Sequence, residues 1–159
     1  MIYIAVCGAG SCDEDTCGLA EELGREIGLR GAALVCGGLG GVMEAAARGA
    51  REAGALTIGI LPGFEKSDAN PYIQVPIVTG LSLSRNLVIV RTADAVIALP
   101  GAYGTLSEIA LALKIGKPVI GINTWELGED LIRARDAKDA VAKAIAAVSL
   151  KEKNISGKC

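Results

Sequence analysis

The chain has 159 residues, 51% of them apolar and only 3% aromatic, with 21 glycines and a formal net charge of −2. That length suits one domain with a full core, and the slightly acidic balance gives no electrostatic case for wrapping nucleic acid or docking on an anionic membrane. With no basic leader and no apolar run of membrane-spanning length, a cytoplasmic location is expected, and neither membrane nor nucleic acid is expected as a partner.

A core poor in aromatics must be built from Ala, Val, Ile and Leu. Aliphatic runs joined by Gly-rich turns favour a parallel α/β sheet, whose strands are buried on both faces. In chain order, Ile2 to Cys7 reads as a buried strand and Gly8 to Ser11 as a turn. Ser11 with Glu14 suggests a capping box for a helix running to about Ile27. Ala33 to Cys36 is the second strand, Gly37 to Gly41 a glycine turn, Val42 to Ala53 a helix, and Leu56 to Leu61 the third strand. The segment from Phe64 to Gly80 is polar loop with Pro71 and Pro76, and Ile73 to Val78 suits a short edge strand. Leu81 to Arg91 reads as helix, Asp94 to Leu99 as strand, Thr105 to Ile115 as helix and Val119 to Asn123 as strand. An amphipathic helix from about Ala137 to Leu150 closes a single domain over residues 1–150, followed by a polar tail over 151–159. The expected fold is a doubly wound, mainly parallel α/β sheet with helices on both faces and strand order 3-2-1-4-5.

The five cysteines are Cys7, Cys12, Cys17, Cys36 and Cys159, and histidine is absent. Without a secretion signal, reduced thiols are the default. No C-x-x-C pair is present, so no metal site is expected and the cysteines read as small buried side chains.

In such a sheet, ligands bind where the strand order reverses, at the carboxyl ends of the strands. The turns Gly8 to Ser11, Gly37 to Gly41 and Gly101 to Thr105 all fall on that edge. The most informative run is Pro100-Gly-Ala-Tyr-Gly-Thr-Leu-Ser-Glu108, set between an aliphatic strand and a helix. A Gly-rich turn lets backbone N–H groups approach an oxyanion, and a helix N-terminus adds about half a positive charge. A phosphate site is therefore expected on Gly101, Ala102, Tyr103, Gly104 and Thr105, with Gly8, Ser11, Gly38 and Gly41 completing the cradle. Glu108 either acts on what the phosphate carries or merely completes a capping box with Thr105. Arg85 either holds ligand or is an exposed helix arginine, and Asn86 beside it is a weaker ligand contact. Met43 reads as core, and Trp125, near the same edge, either flanks a base or is rim packing.

Leu99-Pro-Gly-Ala-Tyr-Gly-Thr-Leu-Ser-Glu108, together with Arg85 and Gly37-Gly-Leu-Gly-Gly-Val-Met43, resembles the LOG-like family, some of whose members carry a lysine decarboxylase label. Its better-studied members are cytokinin riboside 5′-monophosphate phosphoribohydrolases, and a related branch includes molybdenum cofactor carrier proteins. The likeness covers nearly the whole chain, with Ala102 replacing the second Gly of the signature P-G-G-x-G-T-x-x-E. It implies a Rossmann-like fold, a homodimer, a small phosphorylated nucleotide-like ligand on the Thr105 loop, and chemistry by Arg85 and Glu108 with no cofactor. No motif places a lysine for a pyridoxal phosphate Schiff base, so decarboxylation is not expected. The hydrolase branch shows M-H-x-R-K around its arginine, where this chain has Leu83-Ser-Arg-Asn86, and Cys36 and Glu44 depart from the upstream glycine motif. Two functions therefore remain open: hydrolysis of a nucleoside 5′-monophosphate to base and ribose 5-phosphate, or non-catalytic carriage or sensing of a phosphorylated ligand such as molybdenum cofactor.

Overall fold

Short aliphatic runs form the strands because β-branched and small side chains fill the space between sheet and helices on both faces. The computed structural model describes the backbone of residues 1–156 and the side chains of residues 1–151. Its strands are β1 (Tyr3–Cys7), β2 (Ala33–Cys36), β3 (Thr57–Leu61), β4 (Val75–Val78), β5 (Ala95–Ala98), β6 (Val119–Gly121) and β7 (Leu131–Arg133). They form one parallel sheet in the order β4-β3-β2-β1-β5-β6-β7. β1 sits between β2, with Tyr3 opposite Ala33, and β5, with Ile4 opposite Ala95.

Side chains alternate across the sheet. Ile4 and Val6 pack with α1 (Glu14–Leu29), α2 (Val42–Glu52) and α5 (Ala137–Ser156), whereas Ala5 and Cys7 pack with α3 (Arg85–Thr92) and α4 (Tyr103–Lys114). Connections from β1 and β5 thus leave toward opposite faces, opening the crevice that a doubly wound sheet offers a ligand. No helix among the described residues is long and apolar enough to cross a membrane.

The expected order of strands is present, with differences at element ends. The helix α1 is capped by Asp13, whose carboxylate accepts from the Thr16 N–H at 2.8 Å, and not by Ser11. That start places Cys17 one turn from Cys12, with Cα atoms 5.7 Å apart, and the two form a disulfide where reduced thiols were expected. Cys7 and Cys36 are free and buried. A 3-10 turn, Ser82–Ser84, occupies the start of the expected Leu81 to Arg91 helix, so α3 proper begins at Arg85. β7 was not anticipated, being three residues long and preceded by Gly128–Asp130. The last helix passes its expected end at Leu150 and runs to Ser156, and residues 157–159 of the expected tail lie outside the described residues.

The helices α1 and α2 meet backbone to backbone. A Cβ on Gly24 would fall on the Ala46 carbonyl and within 2.7 Å of the Ala50 nitrogen, and one on Gly49 would fall on the Glu21 carbonyl and 3.1 Å from the Arg25 nitrogen. Helix propensity alone predicts that Gly→Ala at either position stabilises by about 1 kcal/mol, but neither helix can move aside without lifting off the sheet. Gly24→Ala and Gly49→Ala should each destabilise by about 2 kcal/mol or more, and urea unfolding of the two variants checks the sign.

Candidate functional site

The site lies where β1 and β5 end side by side. The turn after β1 is held by two main-chain bonds: Ala9 N–H donates to the Pro100 carbonyl at 3.0 Å, and Val42 N–H donates to the Ala9 carbonyl at 3.0 Å. Gly41 permits the second contact, because its φ of 63° suits glycine and a Cβ there would strike the Ala9 and Gly10 carbonyls. One wall of the cleft is therefore fixed to both neighbouring loops.

The helix α4 begins at Tyr103, two residues earlier than the sequence suggests, and its first helical bond runs from Leu106 N–H to the Ala102 carbonyl at 3.1 Å. The N–H groups of Tyr103, Gly104 and Thr105 consequently have no preceding helical carbonyl to meet. Thr105 is buried in this first turn, and its hydroxyl occupies the volume that a Cβ on Gly101 would need. Because the helix starts before Thr105, the capping-box geometry proposed for Glu108 does not arise. Glu108 instead faces the cleft with 8% of its surface exposed.

A carboxylate in that position is costly to ionise. Burial pushes the Glu108 carboxyl up to about 7, while the nearby Arg85 charge pulls it back down. Arg85 opens α3, is itself 9% exposed, and donates through Nη1 to the Gly37 carbonyl at 2.6 Å and to the Ile60 carbonyl. A Cβ on Gly37 would lie 2.5 Å from that same nitrogen, so the glycine turn after β2 makes room for the guanidinium. Burial lowers the Arg85 pKa and Glu108 opposes the shift, yet a guanidinium stays charged. Arg85 and Glu108 feel one another across the cleft, but no direct ion pair joins them among the described residues.

The cleft has a volume of about 340 Å³ and brings Gly8, Ser11, Arg85, Asn86, Ala102, Gly104, Thr105 and Glu108 together. Asn86 is committed: its Nδ2 donates to Ser107 Oγ at 2.9 Å, which in turn donates to the Gly104 carbonyl at 2.7 Å, bracing α3 against the start of α4. Four expected contacts fall outside the cleft lining. Gly38 turns toward Leu61 and β3, Gly41 supports the Ala9 turn from behind, and Gly101 packs under Thr105. Tyr103 points away, 80% exposed, and its ring stacks on Trp125 at 6.2 Å between centroids. Met43, read from sequence as core, lines the cleft together with Cys7 and the exposed Leu83. Burial raises the Cys7 thiol well above its ordinary value, with Glu108 adding to the effect, so it stays protonated and unreactive. Periodicity gave no signal for Met43, because the first turn of α2 faces both the core and the cleft.

An anion resting on the first turn of α4 would meet free N–H groups and the positive end of the helix, with Arg85 across the cleft. A carboxyl able to gain or lose a proton near neutral pH faces the same space. Among known proteins, an uncharacterized protein of Archaeoglobus fulgidus is 46% identical over 122 residues, spanning 77% of this chain and 80% of its own length. The cytokinin riboside 5′-monophosphate phosphoribohydrolase of Mycobacterium tuberculosis is 34% identical over 129 residues, spanning 75% of this chain and 68% of its own. The solved Moco carrier protein of Chlamydomonas reinhardtii superposes with a TM-score of 0.84 at 34% identity, over 94% of this chain and 98% of that one. Residues 1–153 match the SLOG cluster4 family, and the chain belongs to that LOG-like family.

Proposed function

We propose that the cleft binds a nucleoside 5′-monophosphate and hydrolyses its N-glycosidic bond. The observation that carries this reading is Glu108, a nearly buried carboxyl facing the cleft, across from a buried arginine and one helical turn past the N–H groups suited to the phosphate. With the 5′-phosphate on the first turn of α4, C1′ of the ribose faces Glu108. As the C1′–N bond breaks, its electron pair leaves with the base and positive charge develops on the ribose, which the ionised carboxylate stabilises. Water then attacks C1′, Glu108 takes its proton, and that proton passes to the departed base. The products are free base and ribose 5-phosphate. Arg85 cannot give up a proton, so its part is to hold the ligand and stabilise negative charge on the leaving base. No lysine lines the cleft among the described residues, and the decarboxylase label of some family members is not carried over.

A second reading, carriage without hydrolysis, draws support from the Chlamydomonas Moco carrier, which superposes over nearly its whole length. The two readings share the phosphate site and part at Glu108. We also propose that the chain forms a homodimer through the exposed apolar side chains Phe64, Leu81 and Leu83, the last of which lines the cleft. Sedimentation at micromolar concentration should then give about twice the chain mass.

Incubation with common nucleoside monophosphates should release free base. Glu108→Gln should lower kcat by roughly 10²-fold or more with binding largely kept, and Thr105→Val should remove most of the thermal shift that monophosphates produce over their nucleosides. Tight phosphate-dependent binding without base release decides for the carrier.

The pH dependence follows from Glu108 acting as its anion: kcat/KM should rise with pH and level off above about 7. Stability runs the other way. The folded-state value lies above the 4.5 of a free carboxyl, so the folded chain holds this proton more tightly than the unfolded chain. Folding is then unpenalised below 4.5 and loses stability as pH rises through about 7, by an amount on the order of 3 kcal/mol. Glu108→Gln should therefore be more stable than the parent at pH 8 and nearly equal to it at pH 4, as thermal melts at the two pH values will show.

A further inference from the structure

The cleft does not end at the phosphate loop. Past Ser11 and Ala102 it opens into a second depression of about 310 Å³, bounded by Asp13, Thr16 and Pro100. Past Pro100 and Gly101 it opens again into a third of about 290 Å³, floored by Asn123 and Thr124 and walled by Trp125. The three depressions adjoin as a groove along the loop Pro100–Ala102 that leads into α4, with Glu108 in the first and Trp125 in the last. A ligand filling the 340 Å³ cleft alone would be at the small end of the range for small-molecule sites.

At the far end the aromatic surface is already assembled. The Trp125 indole N–H donates to the Gly101 carbonyl at 2.9 Å, which fixes the ring against the phosphate loop. Tyr103 stacks on it with 28° between ring planes and remains 80% exposed, leaving a ring face free for a further planar group. Only 3% of the chain is aromatic, and its sole tryptophan is spent here. The charges along the middle stretch limit what crosses it. Asp13 is held ionised by its hydrogen bonds from Thr16, and Glu14 and Asp15 follow it in the first turn of α1. A second phosphate would be repelled there, whereas a sugar hydroxyl would find an acceptor in Asp13.

We infer that the groove takes a nucleoside 5′-phosphodiester, a dinucleoside monophosphate in chemical class, with one nucleoside facing Glu108, its single phosphate on the first turn of α4, and the second ring stacked on Tyr103 and Trp125. The inference rests on the phosphate placement of the proposed function and names the part of the ligand beyond that phosphate. Tyr103 and Trp125 are binding residues and take no part in bond cleavage.

The test uses the Glu108→Gln chain, so that no probe is consumed. AMP, GMP, CMP and UMP are compared by calorimetry with ApA, GpG, CpC and UpU, and Trp125 fluorescence is followed in parallel. The best dinucleoside monophosphate should bind about ten-fold tighter than its own monophosphate, the size expected of one base stacking on an aromatic ring. It should quench Trp125 fluorescence where the monophosphate does not. Tyr103→Ala, which removes the exposed ring and keeps the main-chain N–H, should abolish the ten-fold advantage of the dinucleoside monophosphate over its own monophosphate. Equal affinities, or an advantage that survives Tyr103→Ala, overturn the inference while leaving the proposed function standing. Tighter binding of a tetranucleotide overturns the single-phosphate limit, and failure of every monophosphate to bind removes both readings together.

Discussion

Parallel strands can be joined only by crossovers, and each crossover must choose a face of the sheet. β1 sends its chain to α1 on one face and β5 sends its chain to α4 on the other, so the two adjacent strand ends part and no connection covers the gap. Everything in the candidate site hangs on that divergence. The Ala9 turn and the Pro100 loop line the two sides and are tied together by a single main-chain bond. Arg85 and Glu108 then reach the gap from the two helices of one face, braced to each other through Asn86 and Ser107. The close α1–α2 contact on the opposite face keeps the start of α2, and with it Gly41 and Met43, in register with the Ala9 turn.

The electrostatics of the cleft cost the fold stability. A carboxyl that is nearly buried and titrates near neutrality burdens the fold at physiological pH, and an arginine placed across from it only partly offsets the burden. Burial, with Glu108 adding to it, keeps the Cys7 thiol protonated, so the most nucleophilic residue type in the cleft is also the least available there.

Much of this was legible from residue order. Aliphatic runs such as Ile4–Cys7, followed by Gly8, and Val96–Leu99, followed by Pro100-Gly101, are enough to write the sheet and its reversal point, because buried parallel strands leave few other sequences possible. Strand β7 was not legible: three residues, with Arg133 exposed, carry no periodicity. The register of α4 was misjudged by two residues because Gly104 weakens a helical reading, although the structure accepts it at a position where N–H groups are meant to be free. The Cys12–Cys17 disulfide was missed for another reason: the lack of a secretion signal set reduced thiols as the expectation, and the spacing of the two cysteines was not weighed against it. As for the site, sequence order names Arg85, Thr105 and Glu108, but it cannot say which glycines line a cleft and which, like Gly38 and Gly101, pack behind it. That distinction depends on backbone direction within each turn.

Arg85 is anchored to main-chain carbonyls, those of Gly37 and Ile60, and to no side chain among the described residues. Carbonyls are supplied by every residue type, so drift in the side chains of β2 and β3 leaves the anchor in place, whereas a Cβ on Gly37 would fall 2.5 Å from the guanidinium and displace it. A chain built this way is free to explore new ligands by changing what surrounds the arginine, as with Leu83 and Met43, while the arginine itself keeps its geometry. Diversification among relatives should therefore run through the lining and spare the anchor.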